Sequence, residues 1–523
     1  MATAAELLIN TAATSWQMVR TIFGPDVAIL STRYDGDPLS SGIWTLGDLT
    51  SPQLTPSDTG VILSTGHVNN VTRLIGDPNI STGTSTNTSG DNNDADFNAA
   101  AGRSTYDASY LEATIRPSTN FLSFQFTFAS EEYPHTPGSI YNDLFAIWVN
   151  GQYVSSPIFG DIEVSDIGPD VTENLYLDNA NDDYNTEMDG FSVTMSVLIP
   201  VNPNVPNTIK LGIADVGDNQ YDSAILIAAN SAQGLFLTRD DIAVVFEGQT
   251  AEVDALANDD AVGVAFITHV NGTAISTGGS VTLNSGHVVT LTPAGTLSVV
   301  PPPDQTGLTA PESINFTYTA QGSGGITDTA FVTITAIPCF AAGTLIRTAG
   351  GEVPVELLAP GDLVETRDHG PQPIRWIGRR RVDAAGNFAP VVIEPGTFGH
   401  HDRLVLSPQH RVLIRHPMAE LMFGEDEVLV AAKDLVNGVS VHVREGGEVA
   451  YFHLLFDRHQ MIWSDGLLTE SFLPGPQTLS AFEQDICEEL FALFPDIDRV
   501  TGRGYGSSAR IGLKSYEARA MFD

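Results

Sequence analysis

The sequence is short of cysteine, short of positive charge and without a long apolar run. Of its 523 residues only two are cysteine, Cys339 and Cys487. Two cysteines cannot build a disulfide framework. Lys plus Arg number 24 against 64 Asp plus Glu, a formal net charge of −40. So few basic residues exclude nucleic acid as a main partner, because phosphate binding needs Lys and Arg to displace counterions. The same shortage argues against an anionic membrane surface. No apolar stretch reaches the roughly 18 residues a membrane helix needs, so no transmembrane segment is expected. The N-terminal residues lack a basic segment followed by an apolar one, so no signal peptide is expected. Two locations remain: the cytosol, or the exterior by a route without a cleaved N-terminal signal.

What is present is a chain able to fold. Hydrophobic residues make up 42% of it, enough for packed cores. At about 150 residues per domain, the length implies about three or four domains. The charge is uneven. Residues 1–230 hold 28 acidic and 6 basic residues, 231–338 hold 10 and 1, and 339–523 hold 26 and 17. Per residue the acidity therefore lies in the first two segments, and the shift marks a boundary near Cys339.

Alternating apolar runs bounded by Gly, Pro, Asn and Asp predict strands throughout. In 1–230 these are residues 121–128, 144–149, 191–199 and 224–229, with a helix expected only over Ala4 to Ile22. Residues 81–96 have no apolar periodicity and are expected as a loop. Residues 231–337 carry short strands at regular spacing, the pattern of a small all-β sandwich. Residues 338–475 are again strand-like. Leu479, Phe482, Ile486, Leu490 and Leu493 recur at helical spacing and Pro495 stops the run, so 477–494 is expected as a helix carrying Cys487 on its apolar side. A second short helix is expected from Ser507 to Phe522. The fold class is mainly β and multidomain: a β-sandwich (1–230), an Ig-like β-sandwich (231–337), an all-β domain (338–475) and a short C-terminal helical tail (476–523).

The first segment is rich in loop carboxylates: Asp91, Asp94 and Asp96, then Glu131 and Glu132, Asp143, and Asp215, Asp218 and Asp222. Oxygen ligands at such spacing suit Ca²⁺, though no EF-hand loop is present. Read plainly, they are solvated carboxylates and Asx turns. The runs VILSTG (61–66), STYDASYLE (104–112), FQFTFASEEY (124–133), YNDLFAIWVNG (141–151), MDGFSV (188–193) and KLGIADVGDNQYDSAILI (210–227) together resemble the choice-of-anchor L domain of bacterial surface and secreted proteins. That resemblance covers nearly all of 1–230. It implies an extracellular β-sandwich and supplies no activity to transfer. Residues 238–337, with DDIAVVFEGQTAEVDALANDD and FTYTAQGSGGITDTAFVTITAI, resemble a bacterial cadherin-like or Ig-like module. There Glu247, Asp254 and Asp259 are candidates for an inter-module calcium site, against the simpler reading of an acidic strand rim.

The chemistry concentrates at Cys339. A thiolate is a good nucleophile and usually works beside a histidine. Eight of the 12 histidines follow Cys339: His369, His400, His401, His410, His416, His442, His453 and His459. A lone cysteine is most simply a small buried hydrophobe, and Cys487 fits that reading. Around Cys339 the sequence differs. CFAAGTLIRTAGGEVPVELLAPGDLVET, then LVLSPQHRVLI (404–414), then VAYFHLLFDRHQMIWSDGLLTESFLPG (449–475) resemble the three successive blocks of a Hint domain, the self-processing fold of Hedgehog proteins and inteins. The second block usually reads Thr-x-x-His; here Ser407 and His410 stand in those places.

The resemblance implies autoprocessing at the Pro338–Cys339 bond. Cys339 attacks the Pro338 carbonyl carbon, turning the peptide into a thioester. His410 protonates the departing nitrogen, and Ser407 polarises or positions the scissile carbonyl. His453 stands where inteins often have Asp, and it assists the shift or activates the second nucleophile; His459 orients its neighbours. Water or an external nucleophile then resolves the thioester. No cofactor is required for this, and Ca²⁺ is the only candidate ion. The terminal His-Asn pair of inteins is missing, so one cleavage or ligation is expected, not splicing. Two other functions compete. One is a non-catalytic adhesin or matrix protein; the other is a calcium-dependent binder of an extracellular glycan or protein. The family context implies a surface or extracellular location reached by type I-like export, although glycine-rich calcium nonapeptides are absent.

Overall fold

The computed structural model describes residues 2–24, 27–133, 141–155, 162–169, 172–245, 250–260, 264–302, 313–336, 339–384, 389–473, 508–513 and 515–522. Pro338, Glu247, Cys487 and the helix expected over 477–494 lie outside them. The chain is mainly β, with a few short helices.

The first region is two facing sheets. One runs in the order Leu8–Asn10, Ser41–Thr45, Gly60–Ser64, Ser223–Ala228, Phe121–Ser130, Gly190–Ser192, Tyr176–Asp178. The other runs Ala28–Asp35, Thr105–Arg116, Asn207–Val216, Leu144–Val149, Gln152–Val154. Alternation puts Phe124, Phe126 and Phe128 on the inner face of one sheet, against Phe145, Ile147, Leu211 and Ile213 of the other. The expected N-terminal helix is shorter than its hydrophobic pattern. Leu8–Asn10 pairs with Ser41–Thr45 as an edge strand, and the helix spans Ser15–Ile22. Its start is set by a capping box in which Thr14 and Gln17 satisfy each other's backbone N–H. The expected loop at 81–96 gives way at its end to a helix, Ala95–Ala101, capped by Asp94.

The second region, an Ig-like pair of sheets, leans on the first. Asp328 accepts Ser123 Oγ–H at 2.6 Å and Thr238 N–H at 2.9 Å. Asn284 Nδ2 donates to the carbonyls of Glu173 and Tyr176 at 2.7 and 2.8 Å. Phe331 of the strand Thr327–Ala336 joins the core of the first region. That strand ends three residues before Cys339.

The third region has two sheets. One is ordered Trp376–Asp383, Glu448–Leu455, Phe340–Ala341, Leu404–Leu406, Val391–Ile393, Val441–Val443. The other contains, as neighbours, Met461–Ser464, Leu467–Glu470, Arg411–Arg415, Glu427–Ala431 and Ile511–Gly512. The strand-rich character expected of 338–475 is observed over the described residues. The tail is only partly the expected helix. Ile511–Gly512 pairs in parallel with Val428 and Leu429, and the helix spans Ser515–Phe522. The open edge of Glu427–Ala431 offers backbone partners, so pairing overrides helix propensity there. Ala518 and Met521 of the helix and Leu513 before it join the third core.

Phe340 lies at the centre of that core, fully buried between its two neighbouring strands. Phe340→Ala is expected to destabilise this region by about 3–5 kcal/mol. Urea unfolding, followed by Trp376 and Trp463 fluorescence, measures it.

Candidate active site around Cys339

Cys339 immediately precedes the two-residue strand Phe340–Ala341, which is hydrogen-bonded on both sides. Phe340 is level with Leu406 on one side and Phe452 on the other. One step along these two antiparallel registers, Cys339 is level with Ser407 and His453. A short strand thus places three chemically active residues, distant in sequence, side by side.

The contacts follow that register. The Cys339 N–H donates to Ser407 Oγ at 2.7 Å, and the Ser407 N–H donates back to the Cys339 carbonyl at 2.9 Å. Cys339 Sγ lies 3.4 Å from His453 Nε2. All three residues are buried, Cys339 being 3% exposed. Space for the His453 ring depends on Gly378, its partner on the neighbouring strand. A Cβ at Gly378 would stand 3.1 Å from His453 Cδ2 and 2.3 Å from the Trp376 ring.

His410 follows the turn after Ser407, its N–H donating to the Ser407 carbonyl at 3.1 Å. Its ring lies against Phe340, centroids 4.3 Å apart. Nε2 lies 3.2 Å from the Glu470 carbonyl oxygen. A carbonyl can only accept, so Nε2 carries the proton and Nδ1 of the neutral ring is bare. Nδ1 is buried and has no hydrogen-bond partner among the described residues. Burial pushes the His410 pKa down to about 4, while the Glu470 charge and the Cys339 backbone pull the other way. At pH 7 the resting ring is therefore neutral.

His459 is not in contact with the thiol among the described hydrogen bonds. Its Nδ1 accepts the Ala509 N–H at 2.9 Å, and its Nε2 faces Glu470 Oε2 at 3.4 Å. Glu470 Oε1 accepts the Arg411 N–H at 3.0 Å. Burial works to raise the Glu470 pKa, but His459, Arg411 and His410 outweigh it and hold the carboxyl below its usual value.

Four of the five catalytic residues expected from sequence therefore lie around one peptide, and His459 sits behind His410. Ser407 holds the amide N–H of Cys339, on the leaving side of the bond; the Pro338 carbonyl expected as its partner lies outside the described residues. Glu470 was not singled out from the sequence. The only signal was a lone carboxylate ending the apolar strand run LLTE, which pairing with Arg411–Arg415 buries.

The candidate calcium ligands divide: Glu131, Glu132, Asp143, Asp215 and Asp222 lie within electrostatic reach of one another, and the others are engaged separately. Asp91 is exposed; Asp94 and Asp96 both bind Lys210 Nζ, at 2.8 to 2.9 Å. Asp218 caps its own turn through Gln220 N–H at 3.1 Å. Asp143 and Asp215 share a hydrogen bond, and burial pushes both well above the usual carboxylate range. Burial likewise raises Glu131 to about 9, Glu132 to about 7 and Asp222 to about 6. Asp259 accepts the Arg239 N–H at 2.8 Å and Tyr318 Oη–H at 2.9 Å, while Asp254 is exposed. Among the described residues no group of three or more His, Cys, Asp or Glu side chains is arranged to hold a metal ion.

These raised carboxyl pKa values fix a sign. Protons are held more tightly in the folded state, so the stabilisation is full below about pH 4.5 and is lost as pH rises towards 9. The melting temperature of the first region is expected to rise from pH 8.5 to pH 5.5, and Glu131→Gln to flatten that slope. Calorimetry across this range checks both.

Three family models match the chain in succession. Residues 8–233 match the choice-of-anchor L domain, residues 230–335 the bacterial Ig domain, and residues 338–476 the Hint domain. No curated protein matches the chain. Among solved structures, the gp41-1 intein aligns at 13% identity over 25% of this chain and 97% of its own, with a TM-score of 0.18. The AceL NrdHF class 3 split intein, a splice-inactive variant, aligns at 13% identity over 26% of this chain and 97% of its own, TM-score 0.20. The Ig-like reading of the middle region stands on its family match, whereas nothing supports a cadherin-like one. The chain carries, in order, a choice-of-anchor L domain, a bacterial Ig domain and a Hint domain.

Proposed function

We propose that the Hint domain cleaves the chain at Pro338–Cys339 and releases or transfers residues 1–338. The observation that carries this reading is the placement of the Cys339 amide: its nitrogen is held by Ser407 and its thiol faces His453 at 3.4 Å. In the first step the thiol proton passes to His453 Nε2, and Sγ attacks the Pro338 carbonyl carbon. A C–S bond forms and the C–N bond breaks. The electron pair returns to the Cys339 nitrogen, which must gain a proton to leave as an amine.

His410 is suited to deliver that proton, but only after receiving it, because its resting ring has a bare Nδ1. The proton is the one His453 took from the thiol: handed on to the bare His410 Nδ1 and from there to the Cys339 nitrogen, it leaves both rings as they began, so His410 is base first and acid second. Positioned acid–base groups of this kind contribute about a hundred- to ten-thousandfold. Ser407 keeps the nitrogen in place while the bond order falls. Attack by water on the thioester then gives the Pro338 carboxylate and restores the Cys339 thiol; an external amine or alcohol would transfer the passenger instead.

The acidic first two domains fit a surface or extracellular passenger, which carries 38 acidic and 7 basic residues in 1–338. Among the described residues no helix is long and apolar enough to cross a membrane. The choice-of-anchor L and Ig domains support the same placement.

The test is a denaturing gel of the full chain and of Cys339→Ala, each with and without dithiothreitol. The expected result is two fragments, 1–338 and 339–523, from the wild type alone, with thiol accelerating their release. An intact wild-type chain under thiol overturns the proposal and leaves a non-catalytic adhesin or matrix protein as the reading.

A further inference from the structure

We propose that the C-terminal segment 508–513 is a working part of the Hint site, seating His410 through His459 and Glu470. This rests on the cleavage reading above and deepens it. Glu470 and His459 are positioning residues here; neither contacts the thiol among the described hydrogen bonds.

The connection is continuous. The Ala509 N–H donates to His459 Nδ1 at 2.9 Å, with Ser508 Oγ at 3.4 Å from the same nitrogen. Because Nδ1 accepts, the neutral His459 ring carries its proton on Nε2, which faces Glu470 Oε2 at 3.4 Å. This N–H stands close to one carboxylate oxygen without making a hydrogen bond to it, an electrostatic contact, while the other oxygen takes the Arg411 N–H at 3.0 Å. Arg411 is the residue next to His410. The carbonyl of the same Glu470 takes the His410 Nε2–H at 3.2 Å. One residue therefore holds the catalytic ring by its backbone and the adjoining strand by its side chain.

His459 and Glu470 have no solvent to replace these partners. Their side chains are 0% and 3% exposed. A buried carboxylate that loses a donor costs more than the bond itself, so the arrangement holds as a unit or rearranges as one. The consequence for chemistry is the tautomer of His410. The Glu470 carbonyl keeps the proton on Nε2 and leaves Nδ1 bare, the form in which the ring can take up a proton. With Glu470 displaced, the ring is free to turn or to adopt the other tautomer.

The tail is well fastened for this task. Arg510 pairs with Glu427 at 3.0 Å and Asp368 at 2.9 Å. Ile511–Gly512 extends the sheet beside Glu427–Ala431, and Leu513 N–H donates to the Leu429 carbonyl at 2.8 Å. Gly512 allows the Arg411 guanidinium close approach: a Cβ there would be 3.1 Å from Arg411 Cζ.

Three full-length variants test the proposal. Ala509→Pro removes one backbone donor and nothing else from the contact. His459→Ala removes the link. His459→Gln keeps it, since the amide can accept from Ala509 and donate to Glu470. Each is followed in two ways: by the rate of thiol-induced release of 1–338, and by ring ¹⁵N shifts of His410, assigned by loss of its signals in His410→Gln. Ala509→Pro and His459→Ala are expected to slow release about a hundredfold and to change the His410 tautomer signature, with His459→Gln restoring both. If Ala509→Pro unfolds by circular dichroism, the His459 pair decides. Release and tautomer both unchanged in folded His459→Ala overturn the proposal. If the wild type itself does not cleave, the cleavage reading fails and the tautomer signals alone decide this one: changed in His459→Ala and restored in His459→Gln supports the seating, unchanged overturns it.

Discussion

The site depends on the pairing of Phe340–Ala341 with the strands on either side. Two residues make a weak strand alone, but Phe340 is buried and level with Leu406 and Phe452. Because side chains alternate along a strand, a slip of one residue would turn Cys339 away from both Ser407 and His453. Core packing therefore sets the geometry of the site. The apolar contacts of Phe340 fix a register, and the register sets which groups meet the thiol and the amide nitrogen.

The same logic of burial runs through the polar groups. His410, His459 and Glu470 are buried in the Hint domain, and the ring tautomers follow from which carbonyl or N–H each one meets. In the first domain burial acts on carboxyls with few cations near them, and raises Glu131, Asp143 and Asp215. The large negative charge of the sequence is therefore not all surface charge. Part of it lies in buried carboxyls whose pKa values burial raises. Asp328, raised to about 7, sits at the contact between the first two domains, which joins them through buried hydrogen bonds. The Ig strand Thr327–Ala336 then delivers the chain almost directly to Cys339.

Much of this was legible in the sequence. Period-two alternation located most strands, and the three blocks around Cys339, Ser407–His410 and His453 named four residues that the fold brings together. What was not legible came from long-range pairing. Leu8–Asn10 reads as helix by composition but is held as an edge strand by Ser41–Thr45. Ile511–Gly512 reads as part of a helix but fills a sheet edge. Ser407 carries a hydroxyl in either role, and only the register shows it on the amide nitrogen. Glu470 is sixty residues from His410 in sequence, and its carbonyl, which any residue would have offered, makes the decisive contact. Spacing along a chain does not state direction: Asp94 and Asp96, read as loop carboxylates, both turn to Lys210.

The central claim is that Cys339 converts its own amide into a thioester. Mass spectrometry of the N-terminal fragment released in hydroxylamine tests it most directly, because hydroxylamine captures a thioester as a hydroxamate on the acyl residue. The account predicts a fragment ending in a Pro338 hydroxamate from the wild type and none from Cys339→Ala. A fragment ending at another residue, or the same fragment from Cys339→Ala, would contradict it.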